Sequence, residues 1–177
     1  QYCNMMPEIL AKHVHDRIPG MLKKYGYTVP VVLHQDHVQK DLNMIKRAVE
    51  AGYSSAEADL SKRPLEENIR LSSDVVRLCH PLGVSVEVEE GEIGATDALM
   101  DPDLDANLEK YITKTADAYA LCAATRPEAI AIFVGNGHGK YLKKPRIAVD
   151  RIKEVAEAVA EFGTKVVLHG SSYLDIE

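Results

Sequence analysis

The sequence predicts an α/β fold built on a parallel sheet. Five short runs, each flat in hydrophobicity or rich in Val and Ile, recur along the chain, amphipathic stretches separate them, and polar side chains cluster where the runs end. Runs of this kind suit strands buried on both faces of a parallel sheet, and repeated strand–helix units give right-handed crossovers.

An amphipathic stretch beginning near Pro7 and reaching about Tyr25 opens the chain as a helix. The first strand is expected at Val29–Leu33, with a helix over 41–52 behind it. Ser55–Leu60 follows, then a helix over 66–82 whose face is marked by Leu65, Ile69, Ser72, Val76 and Cys79. Val84–Glu89 is the third strand, before a helix over 104–125 that holds the longest apolar run, Ala118 to Ala124. Ala129–Val134, a helix over 146–162 and Lys165–Leu168 complete the series. Gly52, Gly83 and Gly163 stand just after three of these helices, where a left-handed residue closes the last turn at least cost.

Composition narrows the function classes. The chain has 177 residues, 46% apolar and 27% charged, enough for one core. We read residues 1–177 as a single domain. Its 27 acids outnumber its 21 bases, for a net charge of −6, which argues against a nucleic-acid partner. The seven-residue span from Ala118 to Ala124 is far short of the ~20 apolar residues that cross a bilayer. Cys3, Cys79 and Cys122 have no paired spacing and read as reduced thiols of a cytoplasmic protein, with Cys79 and Cys122 as packing residues. The opening on Gln1 instead of Met suggests a segment of a longer protein.

Periodicity does not separate an open doubly wound sheet from a (β/α)8 barrel. Polar placement does, because barrel enzymes gather their chemistry at the C-terminal ends of several strands. Here the successive strand ends read His34-Gln35-Asp36-His37, Glu57-Ala58-Asp59, Glu87-Val88-Glu89-Glu90, Gly135-Asn136-Gly137-His138-Gly139 and His169-Gly170-Ser171-Ser172. Converging imidazoles and carboxylates suit Zn²⁺, with Co²⁺ or Mn²⁺ as alternatives. His13 and His15 point to different faces of the first helix, and His80 sits at a helix end; all three read as structural. His34 is expected either to orient Asp36 or to line the pocket. Gly139 and Gly170-Ser171-Ser172 can bring backbone N–H groups to an anion, and Lys140, Lys143 and Lys144 lie nearby.

These five blocks, together with Leu65-Glu66-Glu67-Asn68, make the chain resemble the class II, metal-dependent ketose-bisphosphate aldolases from about Val29 to Ser172. The resemblance implies a TIM barrel about twice this length, present here as a partial barrel of about five βα units, and a homodimer or homotetramer. It further implies that His37, His138 and His169 bind catalytic zinc, with Asp59 and Glu89 at a neighbouring or alternative metal position. Asp36 would handle the proton of the aldol hydroxyl, and Gly139, Gly170 and Ser172 would hold a substrate phosphate. The implied reaction is reversible cleavage of a phosphorylated ketose, fructose 1,6-bisphosphate or its tagatose epimer, to glycerone phosphate and glyceraldehyde 3-phosphate.

The chain departs from that family pattern at Val38, where a small residue is usual, and over Glu90-Gly91-Glu92-Ile93-Gly94-Ala95. Asp97 or Glu92 would then supply the acid of the mobile loop. Two other readings are a non-catalytic aldolase-like subunit that keeps the metal site and a metal-dependent sugar isomerase on the same barrel.

Overall fold

In the computed structural model, the described residues are 6–27, 29–91, 108–109, 111–138 and 144–171. Helix α1 (Pro7–Tyr25) leads to β1 (His34–Val38), α2 (Asn43–Glu50) and β2 (Ser55–Ala58). Then come α3 (Leu65–Cys79), β3 (Ser85–Glu90), α4 (Thr115–Thr125), β4 (Ala129–Ile132), α5 (Val149–Val159) and β5 (Lys165–Val167). Helices α3 and α5 each end in a tight 3₁₀ turn, His80–Leu82 and Ala160–Phe162, closed by left-handed Gly83 and Gly163 as expected.

All four neighbouring strand pairs are parallel, and the sheet order is β1-β2-β3-β4-β5. That order decides between the two architectures. A doubly wound sheet reverses direction at a switch point and places helices on both faces. Here the order never reverses, and one core joins α2, α3, α4 and α5 to a single face of the sheet. Ile45 of α2, Val75 and Cys79 of α3, Leu121 and Cys122 of α4, and Val155 and Val159 of α5 pack on Ala56, Ala58, Val86, Val88, Ile130 and Ile132. The opposite face carries Glu57, Asp59, Glu87 and Glu89, all buried. Strand pleating sends alternate residues to opposite faces, so β2 and β3 offer apolar residues to the helices and carboxylates to the other side.

Two expected elements are corrected. The first strand is His34–Val38 instead of Val29–Leu33, and Val29, Val31 and Val32 are exposed. Pro30 lacks an N–H, and the ladder begins only where the Leu33 carbonyl accepts the N–H groups of Ser54 and Ser55 at 3.1 and 3.2 Å. The His34–His37 block therefore lies within a strand, not beyond its end. The helix expected over 104–125 is interrupted: Leu108, Glu109 and Tyr111 are helical, 112–114 are not, and α4 begins at Thr115. Thr113 donates its N–H to the Phe133 carbonyl at 2.8 Å and accepts the Phe133 N–H on its hydroxyl, which draws this segment onto the sheet.

Candidate metal centre

A β-bulge sets the first part of the site. Between the pairings Gln35–Ala56 and Val38–Ala58, two residues, Asp36 and His37, oppose the single residue Glu57. His37 takes a left-handed backbone, φ 53°, and its N–H donates to Glu57 Oε2 at 2.6 Å. The extra residue changes the alternation, so the Asp36 and His37 side chains both reach the carboxylate-bearing side of the sheet. Val38 then turns to the helix-facing core, which is why a bulky residue at that position does not intrude on the pocket.

The ends of β4 and β5 bring the other imidazoles. The His37 ring centre lies 4.6 Å from that of His138 and 4.7 Å from that of His169, and the latter two are 5.6 Å apart. One ring nitrogen from each of the three lies within 4.8 Å of the others. Buried Asn136 ties the two ends together: its Oδ1 accepts the Val134 N–H at 2.7 Å and its Nδ2 donates to the His169 carbonyl at 3.0 Å. Gly170 is required at this junction. It has φ +66°, and a Cβ there would meet the Gly137 carbonyl oxygen at 2.2 Å.

Carboxylates line the floor. His37 Nδ1 lies 3.3 Å from Asp59 Oδ2 and 3.6 Å from Glu57 Oε2. The Ser61 hydroxyl lies 3.0 Å from Asp59 Oδ1 and 2.9 Å from Glu89 Oε1, joining those two acids. Asn68 donates to the Glu89 carbonyl at 2.9 Å and accepts from Ser72, which fixes the end of β3. His34 Nδ1 pairs with the Ser55 hydroxyl at 2.7 Å, while its Nε2 faces Asp36 Oδ1 at 3.7 Å and Glu87 Oε2 at 4.0 Å. His34 thus adjoins both Asp36 and Glu87 on the carboxylate-bearing side of the sheet.

Protonation follows from these contacts. The hydrogen bond to Asp59 raises the His37 imidazole to about 9, against the pull of burial and with help from Glu57 and Asp36. The hydrogen bond to Glu87 likewise raises His169. Burial, joined by the charges of His37 and His169, lowers His138. Burial raises Glu57 to about 9, so this carboxyl holds a proton at neutral pH. Burial opposes ionisation of Asp36, yet its hydrogen bond with Glu57 and the three neighbouring imidazoles keep it below the usual carboxylate range. Asp36 is the ionised member of that pair.

Among the described residues His37 Nε2 is buried without a hydrogen-bond partner, and Asp36 Oδ2 stands 3.7 Å away. A buried polar atom of this kind costs free energy unless something binds it. Three imidazoles beside buried carboxylates form a nitrogen–oxygen donor set that suits a borderline divalent cation. Two further groups, His37–Glu57–Asp59–Glu89 and Glu57–Glu87–His169, also bring possible ligand atoms within 4.8 Å.

Residues 2–177 match the family described as Fructose-bisphosphate aldolase class-II. The chain belongs to that family. Its fold is similar to that of the YdjI aldolase from Escherichia coli K12, with 31% identity and a TM-score of 0.69 over 92% of this chain and 52% of that one. A candidate fructose-1,6-biphosphate aldolase from Coccidioides immitis matches with 29% identity and a TM-score of 0.68, over 94% of this chain and 57% of the other. The fructose-bisphosphate aldolase of Campylobacter jejuni matches with 26% identity and a TM-score of 0.67, over 94% and 50%. The chain thus spans about half the length of these solved structures, and its five-stranded parallel sheet corresponds to part of an aldolase barrel. The class II family is metal-dependent, and this chain contains clusters able to hold an ion.

Of the residues singled out in the sequence, Asp36, His37, Asp59, Glu89, His138 and His169 come together on one side of the sheet. Gly170 packs at the junction of the last two strand ends. Gly139 and Ser172 lie outside the described residues, as do Lys140, Lys143, Glu92 and Asp97. His13 and His15 are exposed on α1, and His80 pairs with Glu128 at 3.2 Å, all away from the centre. Sequence reading passed over Glu57 and Glu87 as site residues. Each sits two before an acid that was singled out, and strand alternation sends both members of such a pair to one face. No helix among the described residues is long and apolar enough to cross a membrane.

Proposed function

We propose that this chain forms the metal-binding half of a barrel aldolase that reversibly cleaves a ketose 1,6-bisphosphate, fructose 1,6-bisphosphate before its tagatose epimer. The observation that carries the reading is the meeting of the three imidazoles beside an ionised Asp36. His37, His138 and His169 would hold the cation, Zn²⁺ first and Co²⁺ or Mn²⁺ as alternatives, with Asp59 and Glu89 at an adjoining position. A cation there acts as a Lewis acid towards a substrate carbonyl, so no Schiff-base lysine is needed.

Asp36 has the state that cleavage requires. As the C3–C4 bond breaks, its electron pair stays with C3 and the C4 hydroxyl becomes an aldehyde. The Asp36 carboxylate takes the hydroxyl proton, and in the condensation direction it returns it. His34 Nε2 stands 3.7 Å from the Asp36 carboxylate. Gly139, Gly170 and Ser172 are proposed to offer backbone N–H and hydroxyl donors to one phosphate, which orients the substrate. Residues 1–177 are read as one domain of a partial barrel, completed by strands of a longer protein that assembles as a dimer or tetramer. Cys79 and Cys122, both buried and free, suit a cytoplasmic protein.

The test is an assay of the full-length protein carrying this chain, with metal analysis. Expected results are bound zinc and cleavage of fructose 1,6-bisphosphate, lost on chelation and restored by Zn²⁺. Bound zinc without turnover would favour the non-catalytic subunit. Full cleavage after complete removal of metal would overturn the assignment.

A further inference from the structure

One fully buried carboxyl of the site, Glu57, has no part in the roles above. Glu57 is wholly buried on β2, directly opposite the bulge in β1. Its Oε2 accepts the His37 N–H at 2.6 Å, so at this point of the sheet a side chain takes the N–H that a strand carbonyl takes elsewhere in a ladder. His37 has φ 53°, a conformation that non-glycine residues adopt only when their surroundings impose it. Without the bulge, Asp36 and His37 would point to opposite faces of the sheet.

We propose that Glu57 is a positioning residue: by accepting the His37 backbone N–H it holds the bulge that turns Asp36 and His37 into one pocket. The inference rests on the reading of His37 as a metal ligand, and it assigns Glu57 a task carried out through the backbone. A carboxyl is not essential for that task. Any side chain of the same reach with an acceptor oxygen performs it, whereas an apolar side chain of equal length leaves the His37 N–H without its partner and the bulge without its anchor.

Glu57→Gln and Glu57→Met in the full-length protein separate these cases. Zinc dissociation constants are measured by competition with a chelating dye, with circular dichroism and melting curves of the metal-free proteins as checks of folding. Glu57→Gln is expected within about threefold of the parent. Glu57→Met is expected to bind zinc about 10–100-fold more weakly, the range for lost support behind a ligand, and to show lower kcat in zinc-saturated samples because Asp36 shares the bulge. Parental zinc affinity in a folded Glu57→Met protein would overturn the proposal. An equal loss in Glu57→Gln would overturn it too, because charge and not hydrogen-bond acceptance would then be the property that matters. If Glu57→Met fails to fold, Glu57→Gln decides: parental affinity supports the proposal and a tenfold loss overturns it. A parent protein that binds no zinc would overturn the metal reading itself, a distinct result.

Discussion

His169 Nε2 and Glu87 Oε1 lie 2.9 Å apart, a pairing that selects which ring nitrogen of His169 is free. A carboxylate acceptor keeps the proton on Nε2 and leaves the Nδ1 lone pair to face a ligand. Such carboxylate–imidazole pairs orient metal-binding histidines. Glu87→Ala should therefore weaken metal binding by about 10–100-fold while the metal-free protein keeps its circular dichroism spectrum. Unchanged affinity in a metal titration would show that His169 needs no partner.

Asp36 should be separable from metal binding. It is half exposed and stands 3.7 Å from His37 Nε2, beside the imidazole cluster. Asp36→Ala should retain stoichiometric zinc by elemental analysis and lose turnover by ~10²–10⁴-fold, the range for a missing acid–base group. Near-normal turnover would remove Asp36 from the chemistry.

Metal uptake should release protons. Asp59 and its neighbours hold His37 protonated up to about 9, above the ordinary value for an imidazole. A cation needs the neutral ring, so binding below pH 9 must displace this proton, and His169, also raised, adds to the effect. The logarithm of the association constant should climb by about one per pH unit for each displaced proton and level off with respect to His37 above pH 9. Calorimetry at pH 7.5 in buffers of different ionisation enthalpy measures the release; none detected would contradict the assignment of His37.

Gly170 and Gly163 offer a matched comparison. Both have positive φ, 66° and 79°, but a Cβ at Gly163 meets nothing within 4 Å, whereas one at Gly170 meets the Gly137 carbonyl oxygen at 2.2 Å. Gly163→Ala should cost about 1 kcal/mol or a little more, from backbone strain alone. Gly170→Ala should cost more, because the strand ends bearing His138 and His169 must move apart. Melting temperatures of the metal-free proteins and their zinc affinities give the comparison. Equal melting losses with unchanged zinc affinity would show that the junction is slack.

Much of this protein follows from local pattern. Val, Ile and Ala runs marked four of the five strands to within two residues at either end, and glycines marked the helix ends, because burial and left-handed turns constrain residue type directly. That His37, His138, His169, Asp36, Asp59 and Glu89 lie near one another was legible because each belongs to a strand-end block, and the resemblance to the aldolases singles them out within those blocks. Val29–Leu33 misled for the same reason: apolarity identifies a segment that can pair, and only the hydrogen bonds of Leu33 with Ser54 and Ser55 fix where pairing begins.

Pairing between distant residues lay beyond what the sequence determines. The unbroken strand order, the two-against-one register at Asp36 and His37, and the hydrogen bond from His37 to Glu57 all depend on which backbone atoms meet across 20 or more residues of chain. Sequence by itself set the order of strands and helices and the residue types that gather at the candidate site. Tertiary structure alone decided that Asp36 and His37 share a face, that Glu57 and Glu87 support the imidazoles from below, and that Gly170 brings two strand ends into contact, because each of these is a relation in space that no single segment encodes.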